Sequence, residues 1–110
     1  MTDILTQVDC ERGIIRDLGL LEEATDLYKD LLEAEARAEV KYKKRKASMF
    51  LRASGPVRDK EAFSDQECSD EFEAYRLAEA RSKACRENMR MLHARLENLR
   101  SLNANVRSQV

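Results

Sequence analysis

The chain has 110 residues, a formal net charge of −1 and 37% charged residues, with three Gly, one Pro and no Trp. This length allows one domain at most, and a composition rich in Ala, Glu, Lys, Leu and Arg favours long helices over a β-sheet or a thick globular core. Three cysteines and one His argue against a disulfide framework and a zinc site. No segment resembles a signal peptide or a membrane span, so we expect a cytoplasmic protein with no metal, cofactor or membrane association.

Residues 1–19 are predicted to form a short N-terminal helix and a connector. The helix is expected near residues 3–12 after a Thr2 cap, and Gly13 and Gly19 interrupt the pattern beyond it. The apolar residues of the segment are Ile4, Leu5, Val8, Ile14, Ile15 and Leu18.

A first long helix, predicted over residues 20–53, carries small or apolar residues at intervals of three, four and seven. They are Leu20, Ala24, Leu27, Leu31, Ala34, Ala38, Tyr42, Met49 and Ala53, with Arg45 as the exception. Residues 54–56, Ser-Gly-Pro, end the helix, because Gly tolerates the left-handed conformation there and Pro cannot continue the backbone hydrogen bonds.

A second long helix is predicted from Val57 to about Arg107. It has the alternating three- and four-residue spacing of coiled-coil a and d positions. These positions are Tyr75, Ala78, Ser82, Cys85, Met89, Leu92, Leu96, Leu99, Asn103 and Val106. Ser64 and Glu67 have the spacing of a capping box, so a break or second start near residue 64 stays open.

The charge distribution predicts that the two helices run antiparallel. Residues 20–36 and 57–73 each carry a net charge of −5, whereas residues 37–52 carry +6 and residues 74–107 carry +5. A turn at residues 54–56 sets each basic segment beside an acidic one, and a parallel pairing sets acid beside acid. The predicted fold class is therefore all-α: a long antiparallel helical hairpin (coiled coil) over residues 20–107, a short N-terminal helix, and a frayed C-terminus at 108–110.

The predicted register leaves the far end of the second helix uncovered. Among the pairs that it places opposite each other are Leu31 and Ser82, Leu27 and Cys85, and Leu20 and Leu92. Burying four apolar side chains beyond that point contributes on the order of 6–12 kcal/mol before entropy is subtracted. Either residues 3–18 cover this end, or a second chain does, or both. The candidate partner-binding residues are Leu92, Leu96, Leu99, Leu102, Asn103 and Val106.

A basic cluster in the first helix is the alternative candidate site. Its cations are Lys41, Lys43, Lys44, Arg45, Lys46 and Arg52. Such a cluster, with Tyr42 and Phe50 interleaved, can bind phosphates in a salt-sensitive way. The apposed residues 65–73 carry five carboxylates, however. A solvated, internally compensated charged end is therefore the favoured interpretation, and nucleic-acid binding is the alternative.

The chemically reactive residue types form no catalytic set. His93 has no second His and is expected on a flank of the helix, and Cys68 and Cys85 are expected as small core residues. Asn103, a polar core position, is expected to influence register or oligomeric state. We find no phosphate-binding loop and no nucleophile with a matching base, so an enzyme is not expected.

Two segments resemble a group of small helical proteins encoded by tailed bacteriophages and prophages. They are residues 43–57 (Lys-Lys-Arg-Lys-Ala-Ser-Met-Phe-Leu-Arg-Ala-Ser-Gly-Pro-Val) and residues 96–107 (Leu-Glu-Asn-Leu-Arg-Ser-Leu-Asn-Ala-Asn-Val-Arg). In that group a basic helix ends in a Phe-Leu…Gly-x-Val turn and a long Arg/Leu helix follows, so the resemblance covers about residues 35–107. It implies an accessory protein of the kind found among phage replication and recombination genes, with no activity to carry over.

The sequence thus predicts a non-enzymatic helical interaction protein of phage origin. It is expected to self-associate or to dock on a larger protein, and no small-molecule substrate is expected. A DNA-binding accessory protein in phage recombination or replication is the alternative.

Overall fold

The computed structural model describes residues 6–108. Helix α1 spans Gln7–Arg52, α2 spans Val57–Glu67 and α3 spans Ser69–Ser108. The helix α1 packs antiparallel against the arm formed by α2 and α3, which confirms the predicted all-α helical hairpin. Within the described residues, no helix is both long and apolar enough to cross a membrane.

Helix α1 begins with a capping box at Thr6 and Asp9. The Asp9 backbone N–H donates to Thr6 Oγ1 at 3.1 Å, and Asp9 Oδ2 accepts from the Thr6 backbone N–H at 3.1 Å. These reciprocal bonds satisfy backbone donors of the first turn. The Thr6 hydroxyl also donates to Asp9 Oδ2 at 2.7 Å, and this bond, together with the one from the Thr6 backbone N–H, holds the pKa of the Asp9 carboxyl below its ordinary value. The predicted cap at Thr2, the residues Ile4 and Leu5, and residues 109–110 of the predicted C-terminal end lie outside the described residues.

The predicted separation of residues 1–19 from the first long helix is wrong. Helix α1 runs without interruption through Gly13 and Gly19, and only Gly55 among the glycines has a positive φ. A helical Gly costs about 1 kcal/mol relative to Ala. Residues of this segment, including the buried Cys10 and Asp17, face the α3 helix. Their packing outweighs the local cost of the two glycines.

Residues 53–56 form the turn of the hairpin. The Ala53 N–H still donates to the Met49 carbonyl at 3.1 Å. Gly55 has φ +98°, a left-handed conformation that favours Gly. Pro56 then takes the N-cap position of α2 with extended backbone angles, φ −62° and ψ 158°.

The second arm is interrupted at Cys68, close to the predicted capping box of Ser64 and Glu67. The Cys68 N–H donates to the Ser64 carbonyl at 3.0 Å, and the Phe72 N–H donates to the Cys68 carbonyl at 2.9 Å, so the α3 helix resumes at once. Ser64 does not cap a helix here. Its hydroxyl donates back to the Glu61 carbonyl at 3.0 Å from a buried position inside α2.

The hairpin divides into two units, and both long helices contribute to each. Unit 1 comprises Met1–Tyr28 with Cys85–Val110, and unit 2 comprises Lys29–Ala84. The core of unit 1 contains Cys10, Ala24, Cys85, Leu92 and Leu96, all 9% exposed or less. The Cys85 thiol donates to the Ala24 carbonyl at 3.4 Å.

Unit 2 packs through aromatic rings and ion pairs more than through leucines. The Tyr42 ring lies 5.2 Å from that of Phe72 and is stacked on Tyr75 at 6.1 Å. Arg45 pairs with Glu71 at 2.9 Å across the helices. The buried residues of this unit are Met49, Ser64, Cys68 and Ser82.

Candidate functional site

The face of α1 that packs on the second arm follows a strict heptad spacing. Its positions are Cys10, Ile14, Asp17, Leu21, Ala24, Tyr28, Leu31, Glu35, Ala38, Tyr42, Arg45 and Met49, and all except Arg45 are buried or half-buried. The sequence prediction placed Leu20, Leu27 and Ala34 in this interface, but all three are exposed. The residue that follows each of them faces the partner helix instead.

Polar groups occupy several of these core positions and are bound across the interface. Asp17 is fully buried and accepts two hydrogen bonds of 2.7 Å from the Arg95 guanidinium. This bidentate pairing holds the pKa of the Asp17 carboxyl below its ordinary value, although burial opposes the shift. In unit 2, Glu35 accepts a hydrogen bond from the Ser82 hydroxyl at 3.2 Å.

These contacts place the register within one helical turn of the prediction. Cys85 meets Ala24 rather than Leu27, and Ser82 meets Glu35 rather than Leu31. The Asp17–Arg95 pair fixes the same antiparallel alignment.

The predicted uncovered end of the second helix is covered by the chain itself. Leu92 and Leu96 are 3% and 2% exposed, and Leu99, Asn103 and Val106 are half-buried. Only Leu102 among the six predicted partner-binding residues is largely exposed, at 43%. Of the alternatives for covering this end, the structure shows the N-terminal segment of the chain itself in place, because α1 extends to Gln7 rather than ending near Leu20.

Gly13 allows this end of unit 1 to pack closely. A Cβ atom at residue 13 would lie 3.1 Å from Leu99 Cδ1 and 3.2 Å from Leu99 Cδ2. Close approach of the helices here depends on the missing side chain. The glycine that was expected to interrupt a helix instead makes room for a leucine of the opposite helix.

A shallow apolar groove lies along one flank of unit 1, between α1 and α3. Leu20, Leu27 and Met91 stand at its edges and are 39%, 53% and 55% exposed. Its volume is about 400 Å³, and its other lining residues are Glu23, Ala24, Asn88, Leu92 and Arg95. We call this surface the flank groove. Large apolar side chains that stand half-exposed beside a buried core offer a surface to a further helix.

The two flanks of α3 in unit 1 differ in charge. On the side of the flank groove, helical geometry places Asn88, Met91, Arg95, Asn98 and Leu102. On the opposite side it places Arg86, Arg90, His93, Glu97, Arg100 and Arg107. One flank is thus largely uncharged, and the other is strongly basic and solvated.

Comparisons with known proteins identify no relative of this chain. No protein-family model, no curated protein and no solved structure matches it.

The basic segment of α1 is partly neutralised by neighbouring carboxylates. Three of its six cations form ion pairs: Lys43 with Glu39 at 2.6 Å, Arg45 with Glu71 at 2.9 Å, and Lys46 with Asp65 at 3.1 Å. These partners raise the pKa values of Lys43 and Lys46. Within residues 6–108, the remaining three cations, Lys41, Lys44 and Arg52, are exposed and make no ion pair.

The cysteines and the single histidine lie apart from one another. Cys10, Cys68 and Cys85 are buried as free thiols, and burial raises the pKa of the Cys68 thiol. His93 is exposed on the basic flank of α3, as the sequence analysis expected. No cluster of His, Cys, Asp and Glu suited to a metal ion occurs among the residues that the structure describes.

The edge residues of the flank groove were missed as a surface, although a signal for them exists. Leu20, Leu27 and Ala34 form a second series at seven-residue spacing, one position before Leu21, Tyr28 and Glu35. Two adjacent series of this kind mark an apolar face wider than one partner helix covers. The sequence prediction assigned Leu20, Leu27 and Ala34 to the interface and did not consider the series at Leu21, Tyr28 and Glu35.

Proposed function

We propose that the chain is a non-enzymatic protein–protein interaction module whose flank groove receives an amphipathic α-helix of its partner. One observation carries the proposal. Leu20, Leu27 and Met91 stand half-exposed at the edges of a groove whose floor includes the buried residues Ala24 and Leu92.

A helix suits this groove better than an extended strand or a small molecule. The groove runs between two helices, and its α1 edge presents apolar side chains seven residues apart. In helix-in-groove recognition the docked helix places apolar anchors at i, i+3, i+4 and i+7 into such a groove. The groove is lined by only two charged residues, Glu23 and Arg95. The docked helix would therefore have a leucine-rich or methionine-rich face with polar margins.

The states of the reactive side chains support a non-enzymatic role. The Asp17 carboxylate is held by Arg95. Burial favours the thiol over the thiolate at Cys68. These groups serve packing and alignment of the helices.

The setting of the proposed function follows from the sequence resemblance and stays a prediction. The resemblance to small helical phage proteins suggests an accessory protein that acts in the cytoplasm of a host cell. The predicted partner residue Leu92 contributes to the floor of the flank groove, and Leu102 lies on the same side of α3.

The alternative of DNA binding has weaker support. Half of the predicted phosphate-binding cations are engaged with carboxylates, and phosphate would have to displace those partners. Three exposed cations by themselves bind the phosphates of DNA at most weakly and in a salt-sensitive way.

Site-specific photocrosslinking tests the proposed function. A benzophenone amino acid replaces Leu27 or Met91 in the full chain, and extract of cells in which the chain naturally occurs is irradiated with each variant. Leu18 is the matched control, because it is 44% exposed but lies on the other flank of α1. We expect one defined adduct from positions 27 and 91, and none from position 18.

A second measurement decides whether that adduct reflects groove binding. Mass spectrometry of the crosslinked peptide identifies the bound segment, and titration calorimetry measures its affinity for the wild-type chain and for Leu27→Glu. An amphipathic helical segment that Leu27→Glu no longer binds supports the proposal. No adduct from either groove position, or an equal yield from position 18, contradicts it.

A further inference from the structure

The most exposed large apolar side chain among the described residues lies at the turn of the hairpin, in unit 2. Leu51, in the last turn of α1, is 83% exposed, and Val57, the first residue of α2, is 63% exposed. Pro56, which precedes α2, is exposed as well. We call residues 50–60 the turn tip. The turn tip therefore presents apolar side chains on a protruding end rather than in a groove.

Cations without a carboxylate partner lie beside this apolar surface. Three are exposed and form no ion pair within the described part of the chain: Lys44, two helical turns before Leu51, Arg52 and Arg58. A fourth, Lys60, holds its ammonium group 5.6 Å from the centre of the Phe50 ring. The carboxylates of this stretch are Asp59 and Glu61. Unpaired cations thus outnumber carboxylates around the turn tip.

The other carboxylates of unit 2 lie back from the turn tip along both arms. Residues 65–73 carry five of them, and this stretch begins about two helical turns into the second arm. On α1 the nearest carboxylate before Leu51 is Glu39, about three turns away. A polyanion that runs along the arms meets these carboxylates. A surface that meets the hairpin end-on contacts mainly the turn tip.

An anionic lipid surface matches both the charge and the apolar character of the turn tip. At such a surface, apolar side chains enter the boundary between headgroups and acyl chains, and Lys and Arg beside them meet the lipid phosphates. Nucleic acid also pairs with the cations, but it leaves Leu51 and Val57 in water. Burial of these apolar side chains is the contribution that a membrane adds to the weak attraction of a few cations.

We propose that the turn tip docks end-on to membranes that contain anionic phospholipids, with Leu51 and Val57 inserted below the headgroups. Arg52 and Arg58 then contact the lipid phosphates. Such peripheral binding uses a surface of the folded chain and needs no membrane-spanning helix. It replaces the expectation of no membrane association, which considered only signal peptides and spans. It goes beyond the proposed function, because it uses unit 2 and not the flank groove of unit 1.

Tryptophan fluorescence with lipid vesicles tests this proposal, because the chain has no Trp of its own. Leu51→Trp places a single fluorophore at the turn tip, and Leu77→Trp, at a 48% exposed position of α3 in unit 2, is the matched control. With vesicles of phosphatidylserine and phosphatidylcholine in equal parts, we expect a blue shift for Leu51→Trp and quenching by lipids with brominated acyl chains. We expect neither for Leu77→Trp, and little change with phosphatidylcholine alone.

Vesicle sedimentation of chains without Trp measures the apolar and the ionic contributions separately. Leu51→Glu is expected to lower the partition coefficient at least about tenfold. Arg52→Gln and Arg58→Gln are each expected to lower it about fivefold. Leu77→Glu introduces the same charge away from the turn tip and is expected to leave it unchanged. Circular dichroism establishes that each variant keeps its helices.

The outcomes distinguish a membrane from other partners of the turn tip. No binding to the anionic vesicles at low salt, or binding that Leu51→Glu leaves unchanged, overturns the proposal. If labelled DNA binds and loses affinity in Arg52→Gln and Arg58→Gln, while the vesicles give no blue shift, the cations serve nucleic acid and the membrane is excluded. Any of these results leaves the proposed function standing, because its crosslinking positions lie in unit 1.

Discussion

The two units of the hairpin are built from the same two long helices but are held together by different interactions. Unit 1 buries Leu92 and Leu96 against α1 and contains a fully buried carboxylate, Asp17. Unit 2 relies on the rings of Tyr42, Phe72 and Tyr75 and on ion pairs that remain partly in solvent. Heptad spacing alone therefore does not determine how a helical interface is stabilised. The residue type at each position decides between apolar burial and charge pairing.

This difference has a consequence for function. Unit 1 has the better-buried core. Beside that core, the flank of α3 that lines the flank groove carries mostly uncharged residues, such as Asn88 and Met91. A rigid core beneath half-exposed leucines suits a binding surface, since little ordering is needed on docking.

The largest expected effect tests the core of unit 1. Leu96→Ala removes a side chain that is 2% exposed, and we expect it to lower the free energy of unfolding by about 2–5 kcal/mol. Tyr42→Ala in unit 2 removes a half-buried ring and is expected to lower the free energy of unfolding by a smaller amount. Urea denaturation followed by circular dichroism measures both. An equal or greater loss for Tyr42→Ala would show that the aromatic contacts are the stronger ones.

The next effect tests the buried ion pair of unit 1. Asp17→Asn leaves Arg95 without its anionic partner, and we expect the Tm to fall by roughly 10 °C at neutral pH. Because the folded-state pKa of Asp17 lies below the ordinary value of 3.8, its contribution is complete above that pH and is lost as pH falls through the lower value.

The pH dependence provides the control for this variant. Wild type is expected to lose stability as pH drops below about 4, and Asp17→Asn lacks that part of the loss. Asp26→Asn, at an exposed position, is expected to retain the wild-type profile. A wild-type profile for Asp17→Asn would mean that the carboxylate pairing is not what stabilises this end of the hairpin.

A smaller effect is expected at the charge pairs of unit 2. A double-mutant cycle on Arg45 and Glu71 is expected to give a coupling of up to about 1 kcal/mol, because Arg45 is 41% exposed. About 1 M NaCl should reduce this coupling strongly. A cycle on Asp17 and Arg95 serves as the comparison, since Asp17 is shielded from salt by burial. Equal salt sensitivity of the two cycles would remove the distinction between the units.

The smallest effects distinguish the two helical glycines of unit 1. Gly19→Ala meets nothing within 4 Å, so we expect it to stabilise the chain by about 0.5–1 kcal/mol through helix propensity. Gly13→Ala is expected to stabilise the chain less than Gly19→Ala does, or to destabilise it, since its Cβ would press on the methyl groups of Leu99. Chemical denaturation compares the two variants. An equal gain at both positions would show that Leu99 does not need the space at residue 13.

The far end of the second helix shows that regular spacing can identify side chains that need cover without identifying what covers them. Leu92, Leu96 and Leu99 were identified from their spacing as side chains that need cover, and they are buried or half-buried in the structure. Their cover could not be assigned from sequence, because Gly13 and Gly19 are local signals of a break. Only the packing of Cys10, Gly13 and Asp17 against α3 shows that the helix continues.

The choice between adjacent apolar series had a similar cause. A periodicity based on hydrophobicity prefers Leu20, Leu27 and Ala34, and it rejects a series that contains Asp17 and Glu35. In the structure these two residues, like Arg45, are compatible with the interface, because Arg95, Ser82 and Glu71 bind them from the opposite arm. A polar residue counts against a core position only until its partner is known.

The sequence by itself determined the fold class, the antiparallel direction and the core positions of α3, because these follow from composition, charge blocks and a regular spacing along one helix. Only the tertiary structure decided where α1 begins, which of its two apolar series is buried, and which flank is left with exposed leucines. Those features depend on groups far apart in the chain: Asp17 and Arg95, for example, are in contact although 78 positions separate them in sequence. A local pattern contains no information about a partner at that separation, so the flank groove could be recognised only once both helices were in place.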